Sequence, residues 1–248
     1  MKTIILLGAS TLLAGSLIAA DSGPQDDVKG AAKKLADKSN YSWKTTVAVP
    51  DGGGGGGGGG GRFRPGPTEG KAEKDGVTYL SMTRGDNTIE AVLKGGKGAL
   101  KLQDGWQSLA EATADDGGQP GPGRFLGRML QNFKAPAVEA ADLVGKVKDL
   151  KSADGVYSGD LTEEGAKSLL TFGGRGGGGG NGPEISDAKG AIKIWVKDGV
   201  LSKYEYKVKG KMSFNGNDRD IDRTTTVEIK DIGTTKIEVP EEAKKKLS

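Results

Sequence analysis

Residues 191–240 read AIKIWVKDGVLSKYEYKVKGKMSFNGNDRDIDRTTTVEIKDIGTTKIEVP. Ile192, Ile194 and Val196 alternate with Lys193, Trp195 and Lys197, and Asp198-Gly199 supplies a hairpin turn into a second run, Leu201 to Met212. There Tyr204, Tyr206 and Val208 oppose Lys203, Glu205, Lys207 and Lys209. Side chains alternate across a strand, so the two runs describe an antiparallel sheet with one apolar and one charged face. Asn215 to Asp222 is expected as a polar loop, Thr224 to Lys230 as a third long strand and Thr235 to Val239 as a short one. Pro240 then opens a short helix with Glu241 and Glu242 at its start and Lys244 to Lys246 at its end, the order a helix dipole favours.

Upstream, the same period recurs. Tyr41 to Val49 alternates as a half-buried strand, and four more are expected at Thr68–Lys74, Val77–Arg84, Thr88–Lys94 and Gly98–Gln103. Their connectors, Asp75-Gly76, Gly85-Asp86-Asn87 and Gly95-Gly96-Lys97, tolerate the positive φ of hairpin turns. The tripeptide Arg84-Gly85-Asp86 falls where such a turn is needed anyway. Further strands are expected at Val147–Lys151 and Val156–Leu161. Helical spacing marks Asp27–Lys38, Arg124–Lys134, Ala137–Val144 and a helix capped by Thr162 that runs to Phe172. The stripe Phe125, Leu126, Met129, Leu130 and Phe133 suits either packing on a sheet or lining a lipid cavity.

The chain opens with Met1-Lys2, an apolar run and Ala19-Ala20, which reads as a secretory signal over residues 1–20 cleaved after Ala20. Residues 21–248 then form a single domain, with no membrane span once the signal is removed. Leu13-Ala14-Gly15-Ser16 has the shape of a lipoprotein box with serine in place of cysteine, so a thioether lipid has no thiol and the exported chain is expected not to be lipidated. Residues 1–20 hold one lysine and no acid, so the formal net charge falls from +3 to +2. That near-neutrality argues against nucleic acid as a partner. The 248 residues contain no cysteine and no histidine, which excludes thiol and histidine nucleophiles and histidine-supported zinc or haem sites. No cofactor is implied.

Many of the 44 glycines lie in two tracts, read as flexible insertions at 51–62 and 173–183. The first ends in Arg62-Phe63-Arg64-Pro65 but has no lysine with serine or threonine and no following helix, so it is not a phosphate loop. Asn217, Asp218, Asp220 and Asp222 offer oxygen ligands for calcium without the glycine and distal glutamate of an EF-hand, and no metal site is assigned. Asp160 with Glu163 or Glu164 would be the acids of an enzyme, but acids at a helix start are helix-favouring residues first. No catalytic residue is assigned.

Tyr41-Ser42-Trp43 after an opening helix, Val77-Thr78-Tyr79-Leu80, Gly159-Asp160-Leu161 before a helix, Ile194-Trp195-Val196 with Asp198-Gly199, and Thr225 to Asp231 followed by Gly233 and Val239-Pro240 together resemble the LolA-like superfamily. That superfamily includes the mycobacterial LppX/LprAFG lipoproteins and outer-membrane lipoprotein-sorting proteins. The resemblance is one of element order over residues 27–247, and it lacks the lipid-attachment cysteine. It implies an α+β fold, a strongly curved antiparallel sheet or half-open β-barrel, covered on its concave face by short helices. By the same resemblance the protein is an exported, periplasmic or extracellular, non-catalytic binder or carrier of an amphipathic lipid or acylated ligand. Trp43, Tyr79, Phe125, Met129, Phe133, Trp195, Tyr204 and Tyr206 are the residues expected against the ligand. The alternative is an envelope or extracellular interaction protein, with a protein partner, glycine-rich spacer loops and a filled barrel core.

Overall fold

The computed structural model describes residues 23–50, 66–114, 122–171, 183–214 and 216–247. The expected signal segment, the tract at 51–62 and all but Pro183 of the tract at 173–183 lie outside the described residues. Helix α1 (Pro24–Ala36) has proline in its first turn beside Asp26 and Asp27, and it buries Val28, Ala31, Ala32 and Leu35. It leads into β1 (Asn40–Ala48), followed by β2 (Thr68–Glu73), β3 (Thr78–Arg84), β4 (Asn87–Lys94), β5 (Lys97–Leu102) and β6 (Gly105–Ser108). Helices α2 (Leu109–Thr113), α3 (Pro122–Gln131) and α4 (Pro136–Val144) come next, then β7 (Lys151–Ala153), β8 (Val156–Asp160) and α5 (Glu163–Leu170). The chain closes with β9 (Glu184–Lys197), β10 (Val200–Phe214), β11 (Asn217–Lys230) and α6 (Glu241–Leu247).

The eleven strands among the described residues form one sheet in the order β6-β5-β4-β3-β2-β1-β11-β10-β9-β8-β7, antiparallel at every pairing. The sheet is not closed, because β6 and β7 are its two edges. Flat, it would span about 50 Å at the usual strand spacing of about 4.8 Å. Yet Leu80 and Leu100 from one half and Ile192, Ile194 and Tyr204 from the other share a single core with α1, α3 and α4. The sheet therefore curves around short helices lying on its inner face. Helices α2 and α3 lie against β5, while α1 and α5 lie against β9 and β10.

Register shows which residues meet on the inner face. One cross-strand row runs Leu100, Ala91, Leu80, Gly70, Trp43, Ile229. The next runs Ile89, Met82, Thr68, Thr45, Val227, Tyr204, Ile194, Tyr157. Gly70 is required by its row: a Cβ there would stand 2.0 Å from the Trp43 ring, so the indole lies directly on the β2 backbone. Gly210 leaves room in the same way for Leu170 of α5, and Gly190 for Leu161 just before that helix.

Helix α6 departs from the expectation of an inner-face cover, since it lies on the outer face. Ala243 is fully buried there among Val77, Val92, Ala99 and Trp106. Lys246 reaches around edge strand β6 to Glu111 of α2 at 2.9 Å, so the edge is flanked by a helix on each side. Glu111 also closes a capping box with Ser108. Lys246 first, and then the Ser108 backbone, bring its carboxyl down to about 2.

Four boundaries differ from the sequence reading. Residues 217–222 are strand rather than loop: the hairpin turns tightly, and Asp218 and Asp222 are engaged by Ser213 at 2.5 Å and Lys209 at 2.8 Å across it. Thr235–Val239 joins no ladder, although the Ile237 N–H donates to Glu73 at 3.2 Å. Val147 makes one isolated bridge to Leu161, and the strand proper begins at Lys151. Strand β9 begins at Glu184, well before the alternation at Ile192, because Asp187 adopts φ 54° and shifts the pattern from Ile185 to Ala188.

Two glycines give opposite expectations in chemical denaturation. Gly70→Ala drives a methyl into the indole and lowers stability by about 1–3 kcal/mol. Gly30→Ala, in α1 with nothing within 4 Å of the new methyl, raises it by about 1 kcal/mol.

Candidate functional site

The inner face is unevenly covered. Trp43, Leu80, Val227, Ile194 and Tyr204 are buried, but Thr45, Val47, Thr68, Ile89 and Tyr206 beside them are only half-buried. From the helical side Met129 and Phe133 are also half-buried and pack on the same core. Among the described residues an apolar and threonine-lined strip is thus only half-covered between the helices over β5 and those over β9 and β10.

Phe133, in the connector between α3 and α4, stacks on Trp43 with centroids 6.2 Å apart and planes 16° from parallel. Tyr41 tilts against the same indole at 5.8 Å. On the β10 side, the Tyr204 hydroxyl donates to Glu139 of α4 at 2.5 Å, and the Tyr206 hydroxyl to the other carboxylate oxygen at 3.5 Å. Burial raises the Glu139 carboxyl, and the two phenols oppose that rise in part. Burial also pushes the Tyr41 phenol up to about 12 and raises Tyr204 and Tyr206, the last two with the Glu139 charge adding to the effect. Arg223, facing inward beside Thr225, donates to the Leu169 carbonyl at the end of α5.

The structure brings together five of the eight residues expected against a ligand: Trp43, Met129, Phe133, Tyr204 and Tyr206 all join the inner-face core. Trp43 and Tyr204 lie within it at 3% and 0% exposure, so they are core first and wall only through their neighbours. Phe125 is on α3 but 46% exposed, with the Arg84 guanidinium 5.9 Å from its ring. Tyr79 and Trp195 lie on the outer face, a correction that the alternation explains. Leu80 and Ile194 take the inner positions, so the residues next to them point outward. Tyr79 donates to Glu90 and packs by the α6 cluster, and Trp195 carries Lys203 4.9 Å above its ring.

Glu139 was not anticipated. Its signal was its phase: it stands three residues after Pro136 and four before Leu143, both buried, and is itself half-buried. Asp160, Glu163 and Glu164 form no shared site with it. Thr162 caps Gly165 at 2.9 Å and Glu163 pairs with Lys167 at 2.7 Å in solvent. Among the described residues no group of three or more acidic side chains gathers as a metal site, and no helix is long and apolar enough to cross a membrane.

The molecule is therefore an open, eleven-stranded antiparallel sheet curved around short helices, with its partly covered apolar strip inside. No known family's sequence pattern matches the chain, and no curated protein matches it. Among solved structures it is similar to LprF from Mycobacterium bovis, over 89% of this chain and 97% of that one, with a TM-score of 0.42 and 13% identity. It is also similar to the lipoprotein LppX from Mycobacterium tuberculosis, over 89% of this chain and 100% of that one, with a TM-score of 0.43 and 9% identity.

Phe133→Ala removes the cover of Trp43. The expected result is a red shift of tryptophan emission with increased iodide quenching, and a stability loss that includes about 1 kcal/mol for the aromatic pair.

Proposed function

We propose that the protein is a non-catalytic, exported binder or carrier of an amphipathic lipid or acylated ligand, released from its signal at residue 20. The carrying observation is the set of half-buried inner-face residues Thr45, Val47, Thr68 and Ile89, beside the core on which Met129 and Phe133 pack. That set offers an acyl chain a surface to lie along. An acyl chain lying along it gains about 0.8 kcal/mol for each methylene removed from water, with no chemical group needed to hold it. Methionine and phenylalanine on the helical side suit a chain of variable shape. Of the candidate residues, Met129, Phe133 and Tyr206 would touch the chain, with Trp43 and Tyr204 behind them.

A second reading has its own support. Two open grooves of about 640 and 580 Å³ lie on the outer face, the first lined by Lys44, Lys71, Lys230 and Lys236 with Glu69 and Asp231, and the second by Lys148, Lys151, Lys193 and Lys207 with Asp149, Asp160 and Glu205. In that reading the sheet is a scaffold with a filled core, and an envelope protein binds outside.

Native mass spectrometry of the protein purified without detergent separates the two. The carrier reading expects copurifying lipid, and displacement of a fluorescent acyl probe from the wild type. With Met129→Asp, shown to be folded by circular dichroism, probe affinity falls at least tenfold. Absence of lipid, with probe binding untouched by Met129→Asp, overturns the carrier reading.

A further inference from the structure

Glu139 is a carboxylate placed where a carboxylate is costly. It points from the first half of α4 into the inner face, and its hydrogen-bond partners are the phenols of Tyr204 and Tyr206. Among the described residues it makes no ion pair with a lysine or arginine. Glu139 is half-buried, and two neutral hydroxyls solvate its negative charge less well than full hydration or a cation does. An alanine or leucine would have completed the apolar stripe of Pro136, Ala140 and Leu143 without that cost.

Every element around it is accounted for. From β10 come Tyr204 and Tyr206, and from β1 comes Tyr41, whose hydroxyl meets the backbone of Ala137 in the first turn of α4. From β11, Arg223 and Thr225 lie beyond Tyr206. Lys134, before the helix, favours the charge from a distance but is itself paired with Asp142, which disfavours it. Helix α1, packed on α4, contributes the apolar Val28, Ala32 and Leu35 to the same core.

We propose that Glu139 makes the docking of α4 on the sheet, and so the retention of a ligand beneath it, depend on pH, with tighter docking in acid. Retention rests on the carrier reading; the docking itself does not. A protonated Glu139 still donates one hydrogen bond and accepts another, while shedding the charge that burial penalises. The docked carboxyl holds its proton more firmly than a solvated one. Docking is therefore favoured fully below the ordinary carboxylate range and loses that advantage as pH rises through the raised value.

Hydrogen exchange on the full chain, corrected for intrinsic rates, reads this directly. Protection of amides 140–144 is expected to be severalfold higher at pH 4 than at pH 8, while that of β3 and β4 changes little. Glu139→Gln keeps the hydrogen-bonding shape without the charge and is expected to hold the acid level of protection at both pH values. Tyr206→Phe is expected to weaken protection and retain the slope, and Asp142→Asn to retain the slope. A flat wild-type profile, a slope of opposite sign, or a slope that survives Glu139→Gln overturns the proposal. Release of the acyl probe at the two pH values is a separate measurement. If no lipid or probe binds at all, the carrier reading fails and the exchange result still decides the role of Glu139.

Discussion

An extended antiparallel sheet with one apolar face has to find something to put against it, and this chain has only short helices to offer. The constraint is hydrophobic burial over a wide area with narrow covers. The solution is to curve the sheet, so that α1, α4 and α5 on one side and α2 and α3 on the other meet strands from both halves in a single core. Curvature in turn demands close backbone contact. Gly70 beneath Trp43, and Gly190 and Gly210 near Leu161 and Leu170, are the positions where any side chain would hold the layers apart.

The same constraint explains the partly open strip. Helices of eight to thirteen residues, with the shorter α2, cover the flanks of the inner face better than its middle. Over the middle sit two non-helical or polar devices: the Phe133–Trp43 stack and the Glu139 carboxylate on its two phenols. Both come from the stretch 133–139, so cover and candidate site are built from one piece of chain. The outer face solves a different problem. Its rows alternate charge, as in Glu69, Lys44, Glu228 and Lys203, ending at Trp195 under the Lys203 ammonium. Exposed pairs of this kind add little stability but keep a broad sheet face from being apolar.

The strands of the first half were legible nearly to the residue, because Asp75-Gly76, Gly85-Asp86 and Gly95-Gly96 punctuate a clean alternation. The hairpin at Asp198-Gly199 was equally plain, with both residues at positive φ. Legibility failed where local composition and tertiary pairing disagree. Asn217 to Asp222 is polar enough to read as loop, yet it is paired residue for residue with Lys209 to Phe214. Asp187 breaks the alternation of β9, and α2 is too short for periodicity, though Ser108 and Glu111 spelled its capping box. At the candidate site, face assignment was the weak step. Trp195 shares the phase of Lys193 and Lys197, and that phase is the outer face. Glu139 was passed over because a single acid in an apolar helix reads as surface until its neighbours Pro136 and Leu143 are seen to be buried.

Strand order has a consequence for how the molecule is made. The first strand pairs with the last, Ser42 with Lys230 through Ala48 with Thr224, at the centre of the sheet. During synthesis β1 therefore carries an unpaired central edge until almost the whole chain has emerged, and the two half-sheets can only be joined in the final step. Such a late, long-range closure makes for slow folding, and it leaves a sticky intermediate exposed at the moment when a chaperone would have most to hold.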